Sequence, residues 1–259
     1  MVANDIPMER RDQIAERLAN GHSVIASALA LEFNVSEDAI RRDLRALAAE
    51  GLCRRVYGGA LPLTSDSPPM SVRMSEGQEQ KAHLAKTGVR SIQPGEFVFL
   101  DNGSTNLALA KLLPEDHELK VATNSLVIAA ELLQRPDIEL IVLGGSASHQ
   151  LGGCVDGNAL LALVQLNIDR AFIGACALSR SHGIGAFNSA DAMFKRQLLA
   201  RSQHKIVLAT NEKVTLRAPH KIGELNELTE LIVEHDLPDR DFQQLKSMCP
   251  SVVRADRGH

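Results

Sequence analysis

Apolar residues recur along the chain with two different spacings, and the change between them divides it. Over residues 1–60 they follow the three-and-four rhythm of short amphipathic helices. Ile14 and Leu18 lie inside a helix that Pro7 opens and Gly21 closes. A second helix is expected over about residues 25–33. Asn34 then makes a turn, and Ser36 is placed to cap a third helix, with Glu37 and Asp38 at the positive end of its dipole. Ile40, Leu44 and Leu47 fall on one face of that helix, and Gly51 stops it. The next residues, LCRRVYGG, predict a short strand and a hairpin turning at Gly58-Gly59.

Residues 61–80 carry three prolines, several serines and almost no large apolar side chains, which predicts a linker. From residue 81 the pattern changes again. A helix over 81–92 reaches the Pro94-Gly95 turn, and six short apolar runs follow, at 97–100, 119–123, 140–145, 170–175, 205–210 and 230–236. Helical segments at 105–113, 125–134, 157–166 and 190–202 fall between them. Strands that are apolar throughout, alternating with helices, imply a parallel sheet covered on both faces. The expected fold is α/β: a small N-terminal helical domain (1–60), a linker (61–80) and a doubly wound, mostly parallel α/β domain (81–259).

Composition narrows the function. The 259 residues are 44% hydrophobic, enough for a sizeable core, but only 3% aromatic, with no Trp and a single Tyr at 57. Base-stacking platforms of the RNA-binding kind are therefore not expected. The four cysteines, Cys53, Cys154, Cys176 and Cys249, are far apart and lack metal-ligand spacing, so they read as reduced thiols. No metal or cofactor is called for. No apolar run approaches the roughly 20 residues that cross a bilayer, and residues 1–10 lack a secretory core, so a cytoplasmic protein away from membranes is expected.

The formal charge of −4 is unusual for a DNA binder, and residues 1–60 contain eight arginines against nine acidic residues. Any grip on phosphate must come from local clustering. Arg41, Arg42 and Arg45 lie off the apolar face of the third helix, and Arg54 and Arg55 follow in the strand. Arginine forks suit both phosphate oxygens and the guanine edge. The plainer reading is a solvated helix whose Asp38 pairs with Arg41 and Arg42 at helical spacing. The preceding helix-turn-helix spacing and the basic Gly-Gly hairpin favour a recognition helix with a wing lying along the DNA backbone.

In the second domain, small residues cluster where strands end: Asp101-Asn102-Gly103-Ser104-Thr105, then Asn124-Ser125, then Gly144-Gly145. Loops at the carboxyl ends of parallel strands form the ligand crevice of open α/β sheets. Backbone N–H groups and hydroxyls at a helix start suit phosphate. Each cluster alone is an ordinary cap or turn; three at successive strand ends point to a small, polar, phosphorylated ligand.

IRRDLRAL followed by EGLCRRVYGGA resembles the winged helix-turn-helix signature of the DeoR family of bacterial repressors. D-N-G-S-T, A-T-N-S, L-G-G and D-R-A-F-I-G likewise resemble that family's effector domain, which is similar in fold to ribose-5-phosphate isomerase and glucosamine-6-phosphate deaminase. The resemblance implies double-stranded operator DNA as one partner and a phosphorylated sugar or polyol as effector. It implies DNA contacts from Arg41, Arg42, Arg45, Arg54 and Arg55, with Ser36 as cap and Gly58 and Gly59 setting the wing. It also implies an effector site of Asp101, Gly103, Ser104, Thr105, Asn124, Ser125, Gly144, Gly145 and Lys213. The chain departs from the family pattern at Ala39 in place of Thr, at Thr210-Asn211-Glu212-Lys213 in place of D-S-S-K, and at Asp191 in place of Glu, with Lys195 retained.

The competing function is a sugar-phosphate isomerase or deaminase on the same fold. Such an enzyme needs a carboxylate base, for which Asp101 and Asp191 are the candidates. A homo-oligomer, dimer or tetramer, is expected, because a single winged helix reads few base pairs.

Overall fold

The computed structural model describes residues 7–19, 24–50, 52–62, 68–214 and 216–257. Gly21 and Gly51, read above as helix ends, lie outside the described residues. The chain forms two compact units, Met1–Asp66 and Ser67–His259.

The first unit runs α1 (Pro7–Ala19), β1 (Val24–Ile25), α2 (Ala26–Glu32), α3 (Glu37–Ala49), β2 (Cys53–Val56) and β3 (Gly59–Pro62). Asn34, at φ 51°, makes the turn before α3, a conformation that Asn tolerates better than most residues. Ile14, Leu18, Leu29, Ile40, Leu44 and Leu47 form one buried core. Each such side chain stabilises the unit by about 1.5–3 kcal/mol. The strands form an antiparallel sheet in the order β1-β3-β2. Gly58 turns the hairpin at φ 81°. A Cβ on Gly59 would lie 2.1 Å from the Val24 carbonyl oxygen, so only glycine lets β3 pair with β1 there.

The second unit continues with α4 (Met70–Ser75), α5 (Gln78–Gly88), β4 (Phe97–Leu100), α6 (Ser104–Ala110), β5 (Lys120–Thr123), α7 (Leu126–Leu132) and β6 (Glu139–Val142). A small hairpin, β7 (Ala147–Ser148) and β8 (Gly153–Cys154), precedes α8 (Gly157–Leu163) and β9 (Ile168–Phe172). After β10 (Ala177–Ser179), β11 (Gly183–Ala186) and α9 (Ser189–Arg201) come β12 (Ser202–Ala209), β13 (His220–Gly223), β14 (Glu230–Val233), α10 (Asp239–Lys246) and β15 (Val252–Arg254). Seven strands form one parallel sheet in the order β15-β14-β12-β9-β4-β5-β6. The chain builds outward from β4 to β6, then returns to add β9 on the other side of β4. That reversal leaves a crevice at the carboxyl ends of β4 and β9, where ligands of open α/β sheets bind.

The apolar runs are continuous because alternate residues serve opposite faces. Phe99, Val207, Leu231 and Val233 pack with Leu163 of α8 and Phe194 and Leu198 of α9. Val98, Leu100, Leu208 and Ile232 pack with Leu84 of α5, Leu109 of α6 and Ile128 of α7. A helix layer therefore covers each face, as a doubly wound sheet requires.

Three features depart from the reading above. The stretch expected as a linker contains α4, held because Met70 is buried and the Arg73 guanidinium bonds backbone carbonyls. Val252–Arg254 adds an edge strand beside β14. A small antiparallel sheet, β10-β11-β13, forms from residues to which the apolar periodicity assigned no element.

Candidate functional site

Ser36 begins α3, its Oγ accepting from the Ala39 N–H at 3.3 Å. Burial of Ile40, Leu44 and Leu47 turns the opposite face outward, so Arg41, Arg42 and Arg45 are exposed. They are not equivalent. Arg41 Nη2 donates to Glu37 at 2.8 Å, and its Nη1 lies 3.6 Å from Asp38, so local carboxylates neutralise it. Arg42 donates its Nε to the Asp38 carbonyl at 3.3 Å. Among the described residues neither Arg42 nor Arg45 makes an ion pair. Arg10 holds Asp43 in a largely buried pair, Nη2 to Oδ2 2.7 Å, so that carboxylate is already engaged. Arg55 is exposed on β2, and Tyr57 is fully exposed at the hairpin tip. The Arg54 side chain lies outside the described residues.

In the second unit, four polar side chains are buried together under the crevice. Lys195, from the middle of α9, lies 3.1 Å from Asp101 Oδ2, donates to Asn102 Oδ1 at 2.7 Å and contacts Asp191 one turn earlier. Gly174 N–H donates to Asp101 Oδ2 at 2.8 Å. A Cβ on Gly174 would lie 2.7 Å from the Asn102 carbonyl oxygen, so this approach needs glycine. Burial pushes Asp101 up to about 6, with Lys195 opposing and Asp191 reinforcing the rise. Burial disfavours the Lys195 charge, but Asp101 and Asp191 outweigh it and hold the ammonium above the usual lysine range.

A pocket lies over this cluster, lined by Gly103, Ser104 and Thr105 after β4, Gly174 and Cys176 after β9, Lys213 beyond β12, and Arg73 from α4. Asp191, Lys195 and Asn102 reach it from below. Burial lowers the affinity of Lys213 for its proton, as it does for Arg73. Thr105 is 5% exposed, and among the described residues its hydroxyl has no hydrogen-bond partner. A buried hydroxyl left unpaired costs about 1–3 kcal/mol.

Of the residues expected to bind effector, Gly103, Ser104, Thr105 and Lys213 line this pocket, and Asp101 lies beneath it tied to Lys195. Asn124 and Ser125 stand behind the wall and brace it. Asn124 Oδ1 accepts from the Asn102 N–H at 3.0 Å, its Nδ2 donates to the Cys154 carbonyl, and Ser125 Oγ caps α7. Gly144 and Gly145 are not brought to the pocket. A Cβ on Gly145 would lie 2.1 Å from Asp156 Oδ1, the cap of α8, so this glycine serves packing against that cap. Asn102, Asp191 and Lys195, named in the sequence but not placed among the effector contacts, join the site, as do Arg73 and Cys176, which the sequence reading did not single out for it. The spacing of Asp191 four residues before Lys195 shows that the two can pair on a helix, but not that they face the pocket.

Lys195 occupies both carboxylates, so neither is left as a free base. The pocket instead offers two cations and two hydroxyls, a set that accepts an anion bearing hydroxyl groups. A winged helix with unpaired arginines, joined to an α/β unit with a cation-lined crevice, defines a DNA-binding transcriptional regulator. The chain belongs to the DeoR family: residues 10–66 match the DeoR-like helix-turn-helix domain and residues 76–235 the DeoR C terminal sensor domain. It is a regulator and not an enzyme. It is 32% identical to the L-fucose operon activator of Escherichia coli strain K12, over 86% of this chain and 93% of that protein. It is 28% identical to the glycerol-3-phosphate regulon repressor of the same strain, over 84% and 87%. Among solved structures, ribose 5 phosphate isomerase A from Neisseria gonorrhoeae is similar at a TM-score of 0.37 and 17% identity, covering 54% of this chain and 55% of that one. Among the described residues no helix is long and apolar enough to cross a membrane.

Proposed function

We propose that the chain represses genes of carbohydrate metabolism by holding operator DNA, and releases it when a small phosphorylated sugar or polyol fills the second unit's pocket. The observation that carries the effector half is the buried Thr105 hydroxyl, without a partner among the described residues, in a pocket shared with Arg73 and Lys213. An incoming phosphate or sugar oxygen supplies what Thr105 lacks and gives both cations a counter-charge. The relative named for a glycerol-3-phosphate regulon supports both repression and a phosphorylated ligand.

On the DNA side, Arg42, Arg45 and Arg55 are the principal contacts, with Arg54 beside them on β2. Arg41 is secondary because Glu37 and Asp38 already hold it. Ser36, Gly58 and Gly59 set the helix start and the wing. Within the effector site, Gly103, Ser104, Thr105, Lys213 and Arg73 face the ligand, while Asp101, Asn124 and Ser125 shape the wall. The protein acts in the cytoplasm as a homo-oligomer whose paired winged helices read repeated half-sites.

The test is a thermal-shift and gel-shift series with ribose 5-phosphate, glycerol 3-phosphate, fructose 1-phosphate and glucosamine 6-phosphate. A ligand that binds only the native state must raise its melting temperature. At least one member of the series should do so and also weaken the complex with upstream DNA. A series that shifts neither quantity overturns the effector half of the proposal.

A further inference from the structure

Arg73 belongs to α4, at the beginning of the second unit, and its side chain reaches the pocket. Its Nε donates to the Pro68 carbonyl at 2.9 Å, and its Nη2 to the carbonyls of Gln150 and Leu151, each at 3.3 Å. One guanidinium therefore ties the segment 68–76 to the loop 148–152 of the β7–β8 hairpin.

Other contacts make this a defined docking. The Met70 N–H donates to the Gln150 carbonyl at 3.1 Å. The buried Met70 side chain fills the space above Gly152, where a Cβ would lie 2.5 Å from Met70 Cγ. From α5, Lys81 donates to the carbonyls of Arg73 and Glu76, both at 2.5 Å. The loop in turn holds the start of α7, since the Leu126 N–H donates to the Gly152 carbonyl at 3.0 Å.

Among the described residues Arg73 has no ion-pair partner. All its hydrogen-bond acceptors are neutral carbonyls, and among the described residues no carboxylate lies within ion-pair distance of it. A guanidinium has five N–H donors in a rigid fork. Nε and Nη2 are engaged, while Nη1 has no hydrogen-bond partner among the described residues.

We propose that Arg73 is shared between ligand and fold: Nη1 takes the anionic group of the effector while Nε and Nη2 stay on Pro68, Gln150 and Leu151. Filling the pocket then tightens segment 68–76 on loop 148–152, the part of the second unit that follows the DNA-binding unit most closely in sequence. This rests on the anion-pocket reading given under Proposed function.

The test is hydrogen–deuterium exchange at the Met70 amide in the full chain, with inorganic phosphate and with ribose 5-phosphate, alongside Arg73→Gln and Arg73→Lys. In the wild type, phosphate should slow exchange at Met70 by about tenfold, the effect of one added charged hydrogen bond on a local opening. Arg73→Gln should bind about tenfold more weakly and lose the slowing. Arg73→Lys keeps the charge without the fork, so it should bind more tightly than Arg73→Gln while still losing the slowing; it also serves if Arg73→Gln does not fold. Binding that leaves Met70 exchange unchanged or faster in the wild type overturns the shared role of Arg73 alone, as does wild-type affinity and slowing in Arg73→Gln. If neither compound shifts the wild-type melting temperature or any exchange rate, the anion pocket and the role of Arg73 fall together.

Discussion

Lys195 Nζ lies 3.1 Å from Asp101 Oδ2, joining the middle of α9 to the end of the central strand β4. Both side chains are almost fully buried, and Asp191 completes a cluster of two carboxylates around one ammonium. Replacing Lys195 by Met would leave two buried carboxylates without a counter-charge. That should cost about 3–5 kcal/mol of stability, measured by urea denaturation of the second unit. A cost near zero would show that the cluster relaxes to solvent and does not hold the pocket floor.

The same cluster sets a pH dependence. The folded-state value of Asp101, about 6, lies above its ordinary 3.8, so the folded chain holds this proton more tightly than the unfolded chain. Its stability contribution is therefore full below the ordinary value and is lost as pH rises through about 6. Melting temperatures of Asp101→Asn followed from about pH 4 to about pH 7 should lack this component of the slope that the wild type shows. Identical slopes would remove Asp101 as the titrating group.

Thr105 separates stability from binding. Replacing Thr105 by Val removes an unpaired hydroxyl at nearly constant volume, so stability should hold or rise by about 1 kcal/mol. Affinity for whichever sugar phosphate raises the wild-type melting temperature should fall by about tenfold, since the ligand loses its hydrogen bond to Thr105. Isothermal titration with the variant checks the second point, and unchanged affinity would place the ligand elsewhere.

On DNA, Arg42 and Arg41 should behave differently despite being neighbours. Arg42→Ala should weaken operator binding and reduce the slope of log affinity against log salt by about one. Arg41→Ala should change that slope less, because Glu37 and Asp38 already neutralise its guanidinium. Gel shifts across a salt series distinguish the two; equal losses would mean that DNA strips Arg41 from its helical partners.

Much of this protein is decided locally and was legible in the linear sequence. The cap at Ser36, the Ile40–Leu44–Leu47 face and the Gly58 turn depend on residues a few positions apart, so spacing alone reveals them. The parallel sheet declared itself because strands buried on both faces must be apolar throughout. Proline and serine content did not reveal α4 within residues 61–80, because what holds α4 is docking of Met70 and Arg73 on a loop distant in sequence. The tertiary structure alone decided which strand-end loops share a pocket. It brought Gly103-Ser104-Thr105 to Lys213 and Arg73, set Asn124 behind the wall and left Gly145 against the α8 cap. It also assigned Lys195 to the floor, a role no local pattern fixes, because a lysine on a helix is ordinarily solvated until a fold closes two carboxylates around it.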